Sequence, residues 1–100
     1  MSAIQDTQQP KPQLLVFFDP TDGRARRVDS FLAQVLQRRR NHTSVALRRI
    51  DVREHGGLAE RFRVRTTPAL VVVHEKRVQG RLERPTTCKA IEDLLRPWLR

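Results

Sequence analysis

The hydrophobic positions of this chain fall into unbroken runs and helical stripes. Leu14–Phe18 and Ala69–Val73 are continuous apolar runs, the pattern of strands that are buried on both faces. Apolar residues that recur at helical spacing predict two longer helices. The first helix carries Val28, Phe31, Leu32, Val35 and Leu36, and the second carries Ile91, Leu94, Leu95, Trp98 and Leu99.

A third strand is predicted at Val45–Val52, where β-forming residues are mixed with charge. Arg48 and Arg49 are adjacent there. Because neighbouring side chains of a strand point to opposite faces, each face must accept an arginine. This pattern favours a strand at the edge of a sheet.

The rest of the chain completes an alternating order. Gly56–Gly57 is expected to break the chain before a short helix at Leu58–Phe62, and a turn at Lys76–Arg77 precedes a weaker strand at Val78–Leu82. The predicted order is β-α-β-α-β-β-α, an α/β fold with a four-stranded mixed sheet flanked by helices. Its first β-α-β unit should be a parallel crossover and its last two strands a hairpin.

Polar residues predict where the first helix begins and ends. Asp19–Gly23 follows the first strand as a turn, in which Thr21 or Asp22 can cap the helix. The positive charges of Arg38–Arg40 are favourable at the negative, C-terminal end of the helix dipole, and the helix is expected to end at Asn41–His42. A helix of about four turns is expected between these signals.

The N-terminus differs from the rest of the chain. Residues 1–12 are polar, contain two prolines and lack periodicity, so we expect a flexible N-terminal tail before a single domain at 13–100. The longest apolar run is far shorter than the roughly 20 residues of a membrane span. The first residues also lack the apolar core of a signal peptide. These features predict a cytoplasmic protein without a membrane partner.

Composition adds a strong basic charge. The chain contains 20 Lys and Arg residues against 11 Asp and Glu, a formal net charge of +9, and 17 of the basic residues are arginine. Asp6 and Lys11 cancel within the tail, so 13–100 carries the whole charge. One interpretation is an anionic partner such as nucleic acid, and the other is an arginine-rich, solvated surface.

Cys88 is the single cysteine, which excludes an internal disulfide, a dithiol motif and a cysteine-based zinc site. With Thr87 as the helix cap, Cys88 is expected in the first turn of the last helix, where the pKa of a thiol can fall. A packed, unreactive cysteine is the alternative. His42, His55 and His74 are scattered, so we expect neither a metal nor another cofactor.

Leu15–Phe18, Ile50–Val52 and Leu58–Leu70 resemble segments of the thioredoxin-like superfamily. Leu15–Phe18 resembles the central strand before the active site of that family, and Ile50–Val52 resembles the end of the next strand. The most specific segment, Leu58–Leu70, is similar to the short helix and turn that lead to a cis-proline strand, and Gly80 is similar to a glycine of the last strand. The resemblance covers 13–100. It implies a minimal thioredoxin-like fold without the N-terminal strand and helix of full thioredoxins.

The resemblance fails at the catalytic motif. Aligned without gaps, the family's Trp-Cys-x-x-Cys falls on Thr21–Ala25, so Asp22 and Ala25 stand where the two cysteines would be. Disulfide exchange needs a thiolate and a second thiol, so we expect no oxidoreductase activity and no enzyme. Asp22 has two interpretations: a plain helix cap, or a fixed negative charge in place of the family's first cysteine.

Thr67–Pro68 matches the cis-proline of the family. The backbone before that proline pairs with a substrate peptide as an added strand in the family, a general mode of recognition. The resemblance therefore implies a cis bond and a binding groove at this point. A proline that only shapes the entry to its strand is the plainer alternative.

Arginines accompany both segments, at Arg24, Arg26, Arg27, Arg63 and Arg65. The fold that the resemblance implies brings the two groups together, as a site for a phosphate or carboxylate or as a solvated basic rim. The candidate partner-binding residues are Asp22, Gly23, Arg24, Arg27, Arg65, Thr66, Thr67 and Pro68.

The preferred function is a redox-inactive interaction or adaptor module that binds a protein partner through the cis-proline groove or a sheet edge. A basic protein associated with nucleic acid or another anion is the first alternative. The second is a clock or signalling domain of the KaiB type. Ala46–Val52 and Leu58–Glu60 are also similar to that family, whereas Asp19–Gly23 matches it poorly.

Overall fold

The two apolar runs form the middle of a four-stranded sheet. The computed structural model describes residues 11–37 and 44–99. Its strands are β1 (Gln13–Phe18), β2 (Ala46–Asp51), β3 (Ala69–His74) and β4 (Arg77–Glu83). They lie in the order β2-β1-β3-β4. β1 is parallel to β2 and antiparallel to β3, and β3 is antiparallel to β4. The mixed sheet, the parallel first pairing, the final hairpin and the edge position of the third predicted strand are confirmed.

The helices of the described ranges are α1 (Arg24–Gln37), α2 (Gly56–Arg61) and α3 (Cys88–Leu95), and α3 continues into a 3₁₀ turn at Arg96–Trp98. The 14 residues of α1 match the predicted four turns. Thr87 caps α3 as predicted, because its hydroxyl oxygen accepts the Ala90 N–H at 3.1 Å.

The helices divide the core between the two faces of the sheet. Along β1, Leu14 and Val16 pack on the face covered by α1 and α3, and Leu15 and Phe17 pack on the face covered by α2. The first core also contains Val28, Leu32, Val35, Leu36, Leu70, Val72, Ile91 and Leu95. The second core is smaller and contains Ile50, Ala59, Ala69 and Val71, with Phe62 packed against them.

Most element ends shift by one residue from the sequence-based prediction, and two differences concern glycine and turn positions. Gly56 and Gly57 are the first residues of α2 and not a break before it. The first N–H groups of a helix have no helical partner in any case, so glycines are tolerated there. The hairpin turn is Glu75–Lys76, one residue earlier than predicted, and Arg77 already pairs with His74. Both turn residues have positive φ, 54° and 66°, as a two-residue loop of type I′ requires.

Pro12, the last residue of the predicted tail, packs beside the start of β2. This residue is buried, and its carbonyl oxygen accepts the Ala46 N–H at 2.9 Å. Residues 1–10, which make up most of the predicted tail, lie outside the described residues. So does the predicted end of the first helix at Arg38–Arg40 and Asn41–His42.

Candidate functional site

The pairing of β1 with β3 sets the geometry of the candidate site. Phe17 lies opposite Ala69 in an antiparallel register, so the chain that leaves β1 and the chain that enters β3 meet at one end of the sheet. The loop Asp19–Gly23 and the loop Arg65–Pro68 therefore share that end. This is the arrangement expected from the resemblance.

The loop after β1 is ordered by its own polar groups. Oδ1 of Asp19 accepts hydrogen bonds from the Thr21 hydroxyl at 2.7 Å and from the Thr21 N–H at 2.9 Å. These two bonds, the hydroxyl first, hold the pKa of Asp19 below its ordinary 3.8, and the positive charge of Arg53 adds to the effect. The Asp22 N–H closes the turn on the Asp19 carbonyl oxygen at 2.9 Å. The carboxylate of Asp19 thus holds the turn that leads into α1.

Asp22 stands at the start of α1. Its Oδ1 accepts the Arg24 N–H at 3.0 Å and lies 3.5 Å from Nε of the same residue. Its carbonyl oxygen accepts the Ala25 N–H at 3.3 Å. These contacts are those of a helix cap, one of the two interpretations drawn from the sequence. Oδ1 of Asp22 thus contacts both the backbone N–H of its own helix and the side chain of Arg24.

The loop before β3 is anchored at the proline. The Thr67–Pro68 bond is cis, the isomer that the resemblance implies, and Pro68 is buried. Its carbonyl oxygen accepts the Arg84 N–H at 2.8 Å, which ties the loop to the end of β4. Upstream, the Arg63 carbonyl oxygen accepts a hydrogen bond from Nη2 of Arg81 at 2.9 Å. Oγ1 of Thr66 is shielded from solvent and has no hydrogen-bond partner among the described residues.

Two depressions that the described residues form at this surface do not bring the candidate residues together. Asp22 and Gly23 border a depression of about 560 Å³ over the start of α1. Arg65 borders a different one, of about 430 Å³, together with Arg63. Arg24 and Arg27 are exposed outside both depressions, while Thr66 and Thr67 are half-buried. Neither depression is bordered by arginines of both segments.

Cys88 is remote from the start of α1. It is half-buried, and its Sγ lies 3.2 Å from Oε1 of Gln34, to which the thiol donates. Gln34 follows Arg24 by ten residues, which is about 15 Å along the helix axis. The thiol therefore lies beside the third turn of α1, away from the position of the family's catalytic cysteines.

Sequence patterns missed one cluster beside this surface. Nη2 of Arg49 lies 2.8 Å from Oδ2 of Asp29 on α1, and the guanidinium lies 5.1 Å from the centre of the Phe18 ring. Both partners are distant from Arg49 in the sequence. The adjacent arginines Arg48 and Arg49 predict an edge strand, but they do not predict the contacts of Arg49 with Asp29 and Phe18.

The described residues hold no group of three or more histidine, cysteine or acidic side chains arranged for a metal ion. His55 precedes α2, and His74 lies edge-on to Trp98 with ring centres 6.2 Å apart. His42 lies outside the described residues. Among the helices that the structure describes, none has the length and apolar content to cross a membrane.

Comparison with known proteins gives matches by structure alone. No protein-family model and no curated protein matches the sequence. The germline-specific thioredoxin Deadhead of Drosophila melanogaster is similar with a TM-score of 0.78 and 17% identity, over 98% of this chain and 90% of that one. A thioredoxin mutant of Halobacterium salinarum is similar with a TM-score of 0.76 and 21% identity, over 100% and 86%. Mitochondrial thioredoxin 3 of Saccharomyces cerevisiae is similar with a TM-score of 0.74 and 16% identity, over 96% of this chain and 88% of that one.

Each of these likenesses extends over nearly the whole of this chain. The chain has a thioredoxin-like fold.

Proposed function

We propose that this chain is a non-catalytic interaction module that binds a protein partner at the end of the sheet where α1 begins beside Pro68. The observation that carries the proposal is that charged side chains stand at the start of α1, where the resemblance would place the two cysteines. A capping carboxylate stands at the start of α1, and Arg24, Arg26 and Arg27 in the first turn of that helix are exposed. Partner contacts are assigned to Arg24, Arg27 and Arg65 with Thr66–Pro68, while Asp22 and Gly23 hold the start of the helix.

The position of the single thiol supports a function without disulfide exchange. In dithiol exchange, the reaction passes through a mixed disulfide, which a second thiol of the same site resolves. Cys88 is the only cysteine in the sequence, and it is bonded to Gln34 beside the third turn of α1. The Asp22 carboxylate can neither attack a disulfide nor be oxidised to one.

The charge of the exposed arginines supports an acidic partner. Arg27 and Arg65 are exposed, and no described residue forms an ion pair with either of them. Arginine presents a planar fork of donors that matches carboxylates, so two such residues at one end of the sheet favour a carboxylate-bearing surface. A cytoplasmic location remains part of the proposal.

Affinity capture from lysate, with charge-reversal variants, tests the proposal. We expect a stoichiometric protein that survives nuclease treatment and that is lost with Arg27→Glu and Arg65→Glu. Arg77→Glu is the matched control, because Arg77 is an exposed arginine at the opposite end of β3 and β4. A capture that all three variants retain contradicts the assigned surface, and reduction of insulin disulfides by the purified protein contradicts the loss of catalysis.

The net charge of +9 favours one other candidate, a protein that associates with nucleic acid. Such binding falls steeply with salt because bound counterions are released. Captured nucleic acid that disappears with nuclease and with rising salt would support this candidate in place of the first.

A further inference from the structure

The outer edge of β2 presents unpaired backbone groups. The Ala46 N–H and the Val52 N–H donate to carbonyl oxygens of the chain around β1, at 2.9 Å each. Since successive residues of a strand point their backbone groups to alternate sides, Leu47 and Arg49 point theirs away from β1. β2 is at the end of the strand order, and no described residue pairs with this edge. Such an edge is able to accept another strand.

A groove accompanies this edge on the α2 face of the sheet. Its volume is about 300 Å³, and it lies between β2 and α2. Leu15 and Ile50 form its floor, and Leu58 and Phe62 form an apolar wall. We call this feature, whose rim carries Arg48 and Arg61, the Arg48 groove.

The charge of the Arg48 groove is not compensated. On the opposite face of β2, Arg49 pairs with Asp29 at 2.8 Å. Neither Arg48 nor Arg61 forms an ion pair with a described residue, and the described lining of the groove contains no carboxylate. An occupant that brings carboxylates to the rim and an apolar side chain to the floor would complement both parts of the groove.

In the two central registers of β2, a second copy of this chain does not complement the edge. Antiparallel pairing of two β2 strands around a twofold axis places one residue opposite its own copy. If the axis passes through the middle of Ala46–Asp51, the residue that faces its own copy is either Arg48 or Arg49. Like charges directly opposite one another destabilise a strand pair. The arginines thus act against self-association and leave the edge open to a partner of opposite charge.

We propose that the outer edge of β2 and the Arg48 groove bind an extended acidic peptide segment, which adds to the sheet as a strand. Backbone groups of the segment pair with Leu47 and Arg49. Its side chains alternate, so that one row enters the groove with carboxylates at Arg48 and Arg61 and an apolar residue above Leu15 and Ile50. The inference deepens the proposed function, on which it rests, by naming a partner chemistry and a second contact surface.

The test uses the purified full chain and a fluorescent peptide of about eight residues, long enough for one strand. The peptide alternates glutamate and valine in pairs, so that each row of side chains carries both types. We expect binding by fluorescence anisotropy at about 0.15 M salt, where exposed charges are partly screened. A peptide with glutamine in place of glutamate, and one with proline at its centre, should each bind at least about tenfold more weakly.

Variants of the chain locate the site. Arg48→Glu and Arg61→Glu should each weaken peptide binding by about tenfold, whereas the matched control Arg77→Glu on the other edge strand leaves it within about twofold. Leu47→Pro removes an outward N–H but none that bonds to β1, so it should abolish binding without unfolding the protein. If Leu47→Pro fails to fold by circular dichroism, the two charge reversals decide the result.

Several outcomes would overturn the proposal. Equal weakening by Arg77→Glu would show a general charge effect, and equal binding of the glutamine peptide would remove the role of carboxylates. Displacement of the peptide by a single-stranded oligonucleotide, or dimerisation of the free chain that Arg48→Glu changes, would assign the edge to another occupant. If Arg48→Glu keeps both the peptide and the captured protein, this inference fails while the surface at α1 stands.

Discussion

Oδ1 of Asp22 accepts a hydrogen bond from the backbone N–H of Arg24 at 3.0 Å. The bond satisfies a donor that α1 itself leaves without a partner, and it places a negative charge at the positive end of the helix dipole. The same carboxylate occupies the position of the first catalytic cysteine in the resemblance. Its structural task explains why an acidic residue suits this place in a chain that has a single cysteine.

Replacement of Asp22 by alanine should therefore destabilise the protein by about 1 kcal/mol, the usual cost of losing a helix cap. Asp22→Ser keeps an acceptor oxygen and should lose much less. Urea denaturation measures both changes. Because the carboxylate is directed at its own helix, we expect Asp22→Ser to retain the partner. A stable Asp22→Ser that no longer captures it would show direct contact of Asp22 with the partner.

Gly57 offers a stabilising substitution. It lies in the first turn of α2, it does not have a positive φ, and no heavy atom lies within 4 Å of the position of an added Cβ. Gly57→Ala should stabilise the protein by about 0.4–1 kcal/mol, because alanine restricts the unfolded chain more than glycine. Thermal unfolding followed by circular dichroism checks this, and an unchanged or lower midpoint would contradict it.

Gly80 on β4 should behave in the opposite way. A Cβ at this position would lie 3.0 Å from Cδ1 of Leu94, so the leucine side chain must move. Gly80→Ala should therefore give no gain in stability, and the larger Gly80→Val should lose about 1–3 kcal/mol through overpacking. A combined Gly80→Val and Leu94→Ala variant should recover part of that loss, which separates the close contact from an effect on strand propensity.

The Arg49–Asp29 ion pair should contribute little to stability. Both side chains are substantially exposed, 50% and 38%, and exposed pairs contribute about 0.2–1 kcal/mol. A double-mutant cycle with Arg49→Ala and Asp29→Ala measures the coupling by urea denaturation. It should shrink as salt rises, because salt screens exposed charges. Coupling that is large and independent of salt would contradict this expectation.

The pKa of Asp19 should depend on Thr21. Thr21→Val removes the hydroxyl that donates to the carboxylate and keeps the backbone donor, so the pKa of Asp19 should rise toward 3.8. A pKa that is lower in the folded state stabilises the fold above the unfolded value, and this contribution is lost as the pH falls through the folded value. Titration of the carboxyl carbon by NMR measures the shift, with Thr21→Ser as the control that keeps a hydroxyl.

Much of the fold could be predicted because the relevant signals are local. An unbroken apolar run such as Ala69–Val73 has polar neighbours only at its ends, so it must be buried on both faces and lie inside a sheet. The charged pair Arg48–Arg49 cannot be buried on both faces, so its strand must lie at an edge. Thr87 was identified as a cap from its place before the apolar stripe, and its bond to Ala90 confirms it.

The candidate site was less accessible to such patterns. Asp22 is a candidate helix cap from the local pattern, but its place beside Pro68 came only through a resemblance. Their loops share one end of the sheet because of the register of β1 against β3. The division of the surface into two depressions was not predicted. The turn at Glu75–Lys76 was misplaced by one residue, since strand register and loop geometry together select the residues that take positive φ.

By itself, the sequence determined the α/β class, the central and edge strands, the helix caps and the absence of a cysteine pair, because each depends on a residue type or on the spacing of near neighbours. Only the tertiary structure decided which distant side chains meet. Arg49 reaches Asp29 and Phe18, and Arg48 and Arg61 face one groove, because strand pairing and helix packing bring these segments together. The periodicity of a single segment carries no information about such contacts.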